Sequence, residues 1–335
     1  MLENPQILIN IFDFHSSNIT ENSKAFPDAI FIPFRNRYEN LNTLLYSLTW
    51  YDRQIILLAS KDTDLSKIVR LQNSKLSILD YSTFAITEEI LKLKTFQIKN
   101  NFHQPDEWDL PLKRNFALVY SIQKGFQNIL LVDDDISGIT PKVLYKGTKA
   151  LEINKIAGCL VDGFPDTSVI GHIKQKYGEL YYPFLSGSFL FIKTSQVDSF
   201  FPLIYNEDWL FMIPSINLRE ISAVDTVHQK PYDPFYDISR VKLQEFGEII
   251  AEGLFELISE AKYSERFDSL FWDDYINYRR SYVSKLLNQT EPRFHIFINE
   301  SLKFSGQIKP VSCLHFIENW EDDLKTFNKI KNNAI

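Results

Sequence analysis

The chain has 335 residues, of which 44% are hydrophobic and 24% are charged, and its formal net charge is −7. This length suits one large domain or two modest ones, and the composition is that of an ordinary globular protein. General nucleic-acid binding depends on the neutralisation of phosphates by Lys and Arg, so an acidic chain without a basic block predicts no nucleic-acid partner.

Cysteine usage and the lack of long apolar runs predict a cytoplasmic protein without a membrane span. Cys159 and Cys313 do not stand in a CxxC or zinc-like spacing, which indicates buried thiols in a reducing compartment. Residues 1–14 lack the charged start and the long apolar stretch of a signal peptide. No run approaches the roughly 18 apolar residues that a membrane-spanning helix needs.

The first half of the chain alternates short apolar runs with segments of helical periodicity, which is the pattern of an α/β fold. Strands are predicted at residues 29–33, 54–59, 76–80 and 128–132. Helices are predicted at residues 39–50, 64–72 and 112–125. The run 54–59 is continuously apolar, which is typical of a parallel strand buried on both faces.

The chain changes character near Pro231. Before it, strands are predicted at residues 157–161, 184–193 and 220–228, separated by loops rich in Gly, Pro and Asp. After it, long helices are predicted at residues 241–262, 267–287 and 312–331. We therefore predict a mixed α/β region at residues 1–230 and a helical region at residues 231–335.

Three aspartates, Asp133, Asp134 and Asp135, directly follow the apolar run 129–132. In open α/β sheets ligands bind at the carboxyl ends of the strands, so this placement predicts a ligand site. Adjacent carboxylates repel one another unless a cation or hydrogen bonds offset their charge, and oxygen ligands suit Mg²⁺ or Mn²⁺. The alternative is a solvated acidic turn, or a helix that Asp135 caps.

Two arginines, Arg35 and Arg37, lie where the first predicted strand gives way to the first helix. The planar guanidinium suits a diphosphate or the edge of a uracil, and helix N-termini attract anions. The alternative is a surface turn with two solvated arginines.

The segment Pro33-Phe34-Arg35-Asn36-Arg37 resembles the opening nucleotide-binding segment of the GT-A glycosyltransferases. It is especially similar to the PFRNR segment of the β-1,4-galactosyltransferases, and more loosely to the family 2 enzymes. The stretch 112–117, which leads through a helix and a strand to the aspartates, is similar to the stretch that precedes the DxD motif of those families. The resemblance covers roughly residues 29–230.

The resemblance implies a donor site that both segments share. The implied donor contacts are Pro33, Arg35, Asn36, Arg37, Asp64, Arg114, Asp133, Asp134 and Asp135. Asp133 and Asp135 would be the two aspartates of DxD, and Asp135 would bind a divalent metal, Mn²⁺ or Mg²⁺, directly. Asp64, or Asp62 near it, would face the nucleoside.

The implied acceptor side begins at Ser186, Gly187 and Ser188, which look like the small-residue loop that lets the acceptor approach the donor sugar. Glycine permits a close backbone approach. This chain has one glycine where those families commonly have a pair. Trp209 completes the implied acceptor side.

Residues 205–209 are similar to the acidic element that supplies the catalytic base in inverting GT-A enzymes. A carboxylate near the sugar can take the proton of the attacking hydroxyl, an effect typically worth about 10²–10⁴-fold. We assign the base to Asp208, with Glu207 as the second choice. The alternative is an acidic pair that favours the dipole at a helix N-terminus.

His228 ends the predicted strand 220–228 and resembles the C-terminal histidine that completes the metal shell in many GT-A enzymes. The implied metal ligands are Asp135, His228 and Asp133, and the alternative is a structural histidine. Tyr232 and Tyr236 are predicted to belong to a loop that orders on donor binding.

The resemblance implies a GT-A fold, which is a Rossmann-like mixed sheet flanked by helices, with a C-terminal helical extension. Residues 29–135 would form the donor half and residues 136–230 the acceptor half. The implied activity is the metal-dependent transfer of a sugar from a nucleotide-sugar to a hydroxyl of a carbohydrate or other acceptor. The resemblance favours UDP as the nucleotide and leaves GDP open. The acidic element favours inversion, and retention stays open because some retaining GT-A enzymes share both the DxD motif and the histidine.

Two other functions remain open from the sequence. The first is a non-catalytic GT-A-like binding or scaffold protein. The second is a haloacid-dehalogenase-like phosphatase with Asp133 as its nucleophile, which Ile136 and Ser137 fit poorly. A sugar nucleotidylyltransferase would need a Gly-rich loop after the first strand, and residues 33–37 contain no glycine.

Overall fold

A computed structural model describes residues 10–11, 26–68, 75–98, 108–164, 167–178 and 185–333. Within these ranges one nine-stranded sheet is flanked by helices, and four long helices follow it. The strands are β1 (Asn10–Ile11), β2 (Ala29–Phe34), β3 (Gln54–Ala59), β4 (Lys75–Leu79), β5 (Asn128–Val132), β6 (Ile136–Ser137), β7 (Ile156–Asp162), β8 (Leu185–Lys193) and β9 (Ile221–Gln229).

The strand order in the sheet is β1-β9-β7-β8-β5-β2-β3-β4, and β6 pairs with β9 outside this path. Strand β8 runs antiparallel to both of its neighbours, β5 and β7. Strands β4, β3, β2 and β5 are mutually parallel, as are β1, β9 and β7. The carboxyl ends of β2 and β5 therefore lie beside the amino end of β8.

The described helices cover both faces of the sheet and then continue as a bundle. They are α1 (Tyr38–Ser47), α2 (Ala85–Leu91), α3 (Lys94–Gln97), α4 (Leu110–Gln123), α5 (Pro141–Ala150), α6 (Val169–Lys176), α7 (Glu207–Asn217), α8 (Ser239–Ser259), α9 (Ser269–Lys285), α10 (Pro292–Ser305) and α11 (Pro310–Asn332). None of these helices is both long enough and apolar enough to cross a bilayer.

Alternation along the central strands divides the core into two layers. Ala29 and Phe31 of β2 belong to one buried cluster, whereas Ile30 and Ile32 belong to another. Successive side chains of a strand point to opposite faces, so a strand that is apolar at every position is buried between two layers of helices. The predicted fold class, a mixed α/β sheet flanked by helices with a helical C-terminal region, is confirmed.

Most predicted elements are present within a few residues of their expected limits, and one helix is wrong. Residues 65–67 of the predicted helix 64–72 form a single 3₁₀ turn, whose N-cap is Asp64. Ile68 then has extended backbone angles, which end the turn, and residues 69–74 lie outside the described part of the chain. The prediction also lacked several helices, among them α5, α6, α7 and α10.

The C-terminal helices bury side chains against the same layer as the sheet. One cluster joins Phe31 of β2 and Phe201 to Phe246 of α8, Trp272 of α9 and Trp320 of α11. The change of secondary structure near Pro231 is therefore not a break in the hydrophobic core. The division into two domains stays a prediction. Cys159 and Cys313 are both buried free thiols.

Candidate active site

A cleft with a volume of about 710 Å³ opens at the carboxyl ends of β2 and β5, in the size range of small-molecule sites. Its lining residues are Arg35, Arg37, Trp108, Leu110, Arg114, Asp133, Asp135, Ser186, Tyr205, Asn206, Glu207, Asp208, Trp209, Gln229, Tyr232, Tyr236, Arg240, Leu243 and Gln244. The cleft thus collects residues from the ends of several strands and from the starts of α4, α7 and α8.

Arg37 lies against two of the three aspartates that follow β5. Its Nε donates to Oδ2 of Asp134 over 3.2 Å, and its Nη1 donates to Oδ2 of Asp135 over 2.7 Å. Burial raises the pKa of Asp134 to about 7, against the attraction of Arg37, and burial also raises the pKa of Asp135. The segment after β2 and the segment after β5 therefore form one charged cluster.

Arg114 of α4 joins the third aspartate to the acidic pair that begins α7. Its Nη2 lies 3.1 Å from both carboxylate oxygens of Asp133, and its Nη1 donates to Oε1 of Glu207 over 2.7 Å. The guanidinium is buried and stands 5.5 Å from the ring centroid of Phe201. Burial raises the pKa of Glu207 to about 8, and the neighbouring Asp208 adds to this rise while Arg114 opposes it.

Backbone amides hold the carboxylate of Asp208. Oδ2 accepts from the N–H of Gly187 over 2.6 Å, and Oδ1 accepts from the N–H of Trp209 over 2.9 Å. The side chain is partly exposed to the cleft, although protein surrounds it on most sides, and this burial raises its pKa. Asn206, just before α7, has a left-handed backbone with φ 63°, which aims the start of the helix into the cleft.

The side chains around position 187 leave no room for a residue larger than glycine. A Cβ at this position would lie 2.4 Å from Nη1 of Arg114 and 2.7 Å from Cβ of Asp208. The sequence predicted a glycine that admits the acceptor. In the structure its first role is to let β8 pass close to the two charged residues, while the adjacent Ser186 lines the cleft.

Lys113 fixes the end of β2, from which the arginine segment leaves the sheet. Its buried Nζ donates to the carbonyl of Phe34 over 2.9 Å and to Oγ of Ser60 over 2.6 Å, and it pairs with Asp109 over 2.9 Å. Beyond this anchor, Arg35 pairs with Asp62 over 3.1 Å.

Several predicted donor contacts lie outside the lining of the cleft. Pro33 sits within β2, and Asn36 turns to Asp62 over 3.3 Å. Asp64 caps its own turn, with Oδ1 accepting from the backbone N–H of Ser66 over 3.1 Å. Ser188, which was predicted on the acceptor side, is buried within β8 and also lies outside this lining. Of the two acidic candidates for the nucleoside, only Asp62 contacts an arginine of the cleft.

The predicted three-residue metal set does not assemble. Within the described ranges, no three His, Cys, Asp or Glu side chains are grouped so as to hold a metal ion. His228 contacts Asp162, and its side chain is 60% exposed. Adjacent positions of a strand face opposite ways, so Gln229 lines the cleft and His228 does not. Asp133 faces Arg114.

One carboxylate oxygen does fit a divalent cation. Oδ1 of Asp135 is buried and accepts no hydrogen bond from any described residue. Mg²⁺ is commonly bound by one or two carboxylates together with substrate phosphates, so a protein cage of three ligands is not required. In the charged cluster two arginines face five carboxyl groups, which leaves negative charge for a cation to neutralise; the carboxyl groups are Asp133, Asp134, Asp135, Glu207 and Asp208.

Of the chain after β9, sequence reasoning predicted Tyr232 and Tyr236 near the donor but missed the other residues that line the cleft. Neither Arg240 nor Leu243 was predicted to belong to the site, and both line the cleft. Gln244 lines it too, and its Oε1 accepts from the N–H of Val169 over 3.0 Å. A polar residue within an apolar helical stripe was the available signal at Gln244. No local pattern marks Arg240.

No protein-family model and no curated protein matches the sequence. Among solved structures, the chain is similar to glucosyl-3-phosphoglycerate synthase from Mycobacterium tuberculosis in complex with Mn²⁺, UDP and glucosyl-3-phosphoglycerate. That match has 13% identity and a TM-score of 0.44, and it covers 75% of this chain and 87% of that one.

Two further structures are similar to the chain. A mannosyltransferase from Pyrobaculum calidifontis in complex with GDP-Man and Mn²⁺ is 10% identical with a TM-score of 0.47, covering 85% of this chain and 88% of that one. Mouse xyloside xylosyltransferase 1 in its apo form is 10% identical with a TM-score of 0.38, covering 59% and 84%. At these values the likeness concerns only the course of the chain.

Proposed function

We propose that this protein is a glycosyltransferase of the GT-A type, which transfers a sugar from a nucleotide-sugar to an acceptor hydroxyl. The observation that carries the proposal is the joining of three separate segments by two arginines. Arg37 links the segment after β2 to the aspartates after β5, and Arg114 links those aspartates to the start of α7. A donor site and a base beside one another are what sugar transfer requires.

The segment after β2 and the aspartates after β5 form the donor side. Arg35 and Arg37 present guanidinium groups to the cleft, and such groups suit a diphosphate or a uracil edge. UDP is the nucleotide we propose, with the sugar lying towards Arg114 and Asp208. Asp135 would hold a divalent cation bound with the donor, and that cation would supply charge neutralisation for the departing diphosphate.

Asp208 is the proposed base. Its two oxygens are fixed by backbone N–H groups, and burial raises its pKa, which improves a carboxylate as a proton acceptor. Glu207 is less suited, because Arg114 already holds its carboxylate. We propose that Asp208 takes the proton of the acceptor hydroxyl while its oxygen attacks the anomeric carbon. The bond from that carbon to the diphosphate breaks, the nucleoside diphosphate leaves, and this single displacement inverts the anomeric centre.

The proposal is tested by calorimetric titration of UDP, GDP and their sugars, with and without Mn²⁺, into the wild type and Asp135→Ala. We expect metal-dependent binding of one nucleotide, lost or strongly weakened in the variant. Asp80→Ala is the matched control, because Asp80 caps its own 3₁₀ turn and lies outside the lining of the cleft.

The possible outcomes separate the rival functions. Binding of a nucleotide-sugar without its hydrolysis or transfer to any acceptor would favour the binding or scaffold protein. Absence of nucleotide binding by the folded wild type would overturn the proposal and revive the phosphatase, for which release of phosphate from a phosphomonoester is the assay.

A further inference from the structure

The chain after β9 forms one wall of the cleft, and Arg240 on this wall lies between two aromatic rings. The guanidinium carbon of Arg240 lies 5.1 Å from the ring centroid of Tyr232 and 5.3 Å from that of Tyr236. Its Nη1 donates to the carbonyl of Pro234 over 3.3 Å. The side chain is half-buried and lines the cleft. Two rings and a carbonyl thus hold the arginine in place.

The other arginines of the cleft form ion pairs with carboxylates, and Arg240 differs from them in this respect. Arg35 pairs with Asp62, Arg37 with two aspartates, and Arg114 with Asp133 and Glu207. Arg240 forms no ion pair with any carboxylate among the described residues. The nearest acidic residue in sequence, Asp237, is turned to the start of α8, where it accepts from the N–H of Ser239 over 2.8 Å and from its Oγ over 2.7 Å. The pKa of Asp237 is lowered mainly by these hydrogen bonds with Ser239, and the charge of Arg240 adds to this lowering.

The position of Arg240 along α8 places it on the side of the proposed base. Arg240, Gln244 and Gly247 are spaced by four and three residues, so they share one face of the helix. Gly247 touches the backbone of Tyr205, which comes just before Asp208 in the chain. Arg240 is seven residues from this contact, which is about 10 Å along the helix at the usual rise. A small acceptor could span that length.

We propose that the acceptor carries an oxyanion, a phosphate or a carboxylate, and that Arg240 binds it. The inference rests on the proposed function, because it assigns the second substrate of that same cleft. A guanidinium that forms no ion pair with a carboxylate of the described residues presents its forked N–H donors to an incoming anion, and this geometry matches phosphate and carboxylate. Tyr232 and Tyr236 hold the fork and offer ring surface to the remainder of the acceptor.

Tyr232 gives this wall its rigidity. Its ring lies 4.7 Å from the ring of Phe164 and 6.0 Å from the buried ring of His172 on α6. Preorganised groups bind with a smaller entropy cost than mobile ones. The anion site is therefore built on packed elements, whereas Tyr236 is 71% exposed and can adapt to the ligand.

The test uses the full chain saturated with UDP and Mg²⁺, into which inorganic phosphate and, separately, malonate are titrated by calorimetry. We expect one of the two anions to bind the wild type in the presence of UDP. Arg240→Gln should weaken that binding at least about tenfold, as expected for a lost charge-assisted contact, and leave UDP affinity within about twofold. Arg240→Lys, which keeps the charge without the fork, should fall between them.

Arg293→Gln is the matched control, because Arg293 is exposed and pairs with Glu291 outside the cleft. Three results would overturn the inference: no binding of either anion to the UDP-saturated wild type, unchanged anion binding by folded Arg240→Gln, or a tenfold loss of UDP affinity in that variant. The last would place Arg240 in the donor site. Failure of the wild type to bind any nucleotide would overturn the proposed function itself, and this inference with it.

Discussion

Glu207 and Asp208 are adjacent in the chain, yet their side chains have different partners. Glu207 is held by Arg114, whereas Asp208 is held by two backbone N–H groups and remains partly open to the cleft. The difference arises because consecutive residues of a helix point about 100° apart. At the residue scale, this is what separates a positioning carboxylate from a proposed base.

Replacing the proposed base should remove activity without removing donor binding. Asp208→Asn keeps the size of the side chain but cannot take a proton, so kcat should fall by about 10²–10⁴-fold. Nucleotide affinity, measured by calorimetry, should change little. Asp80→Asn is the control, with near wild-type turnover expected. A fall of less than threefold in Asp208→Asn would assign the base elsewhere.

The buried carboxyl of Glu207 should make stability depend on pH in a defined direction. Its pKa is raised from 4.5 to about 8 in the folded chain, mainly by burial. A raised folded pKa favours the neutral form, so the contribution is present below pH 4.5 and is lost as the pH rises towards 8.

Glu207→Gln does not titrate, so the free energy of unfolding of this variant minus that of the wild type should increase between pH 4.5 and 8. Urea unfolding at several pH values measures this difference. A difference that stays constant or decreases over that range would show that Arg114 keeps Glu207 ionised throughout.

At the scale of elements, α8 connects the C-terminal helices to the cleft. Its Gly247 is pressed against the chain before α7, because a Cβ there would lie 2.1 Å from the carbonyl oxygen of Tyr205. Backbone contact of this kind leaves no flexible side chain to move away. The position of α8 therefore controls both the start of α7 and the wall that carries Arg240.

Gly247→Ala should push α8 away from Tyr205 and Asn206. Overpacking of this kind typically costs about 1–3 kcal/mol of stability, which should exceed the roughly 1 kcal/mol that alanine gains over glycine in a helix. The free energy of unfolding, measured by chemical denaturation, and the turnover rate should both decline. Gly306→Ala is the control, because its nearest side-chain atom is the mobile end of Arg280 at 3.2 Å. Wild-type turnover in Gly247→Ala would contradict the link between α8 and the cleft.

A buried arginine holds α8 to α9. Arg279 contacts three acidic residues of α8, with distances of 2.9 Å to Glu248 and 3.5 Å to Glu245, and it also contacts Glu252. Removing one partner of a buried network leaves uncompensated charge.

Arg279→Met should therefore cost about 3–5 kcal/mol at pH 7, measured by urea unfolding. The cost should be smaller at pH 5, where the orphaned carboxyl groups can bind protons. Arg293→Met removes an exposed pair and should cost at most about 1 kcal/mol. Equal effects of the two substitutions would indicate that water reaches the network around Arg279.

At the scale of the whole molecule, the helical region and the sheet should unfold together. Trp272 and Trp320 of the helices belong to the same buried cluster as Phe31 and Leu131 of the sheet. A shared core makes unfolding cooperative. Tryptophan fluorescence and far-UV circular dichroism should give coincident denaturation curves. Two separated transitions would instead indicate that residues 231–335 form an independent domain.

Most strands, and the charged segments that follow β2 and β5, were predictable from the sequence, whereas α7, which carries the proposed base, was not. The strands were predictable because buried parallel strands are apolar at nearly every position, as in β3. The site segments were predictable because charged residues directly follow β2 and β5. The acidic pair Glu207 and Asp208 was marked by its resemblance to the acidic element of inverting GT-A enzymes. These are local signals, and they depend only on neighbours in the chain.

The contacts between those residues depend on the tertiary structure. Arg37 and Asp135 are 98 positions apart, and Arg114 and Glu207 are 93 positions apart, so neither pairing leaves a local trace. His228 was placed in the metal set because it ends a strand and resembles the C-terminal histidine of GT-A enzymes. In the structure it contacts Asp162, and its neighbour Gln229 lines the cleft instead. Arg240 enters the cleft because α8 packs on the chain before α7. The pairing of charged residues, the orientation of side chains towards the cleft and the packing of helices all depend on contacts between residues far apart in the chain. A pattern of neighbouring residues does not contain them.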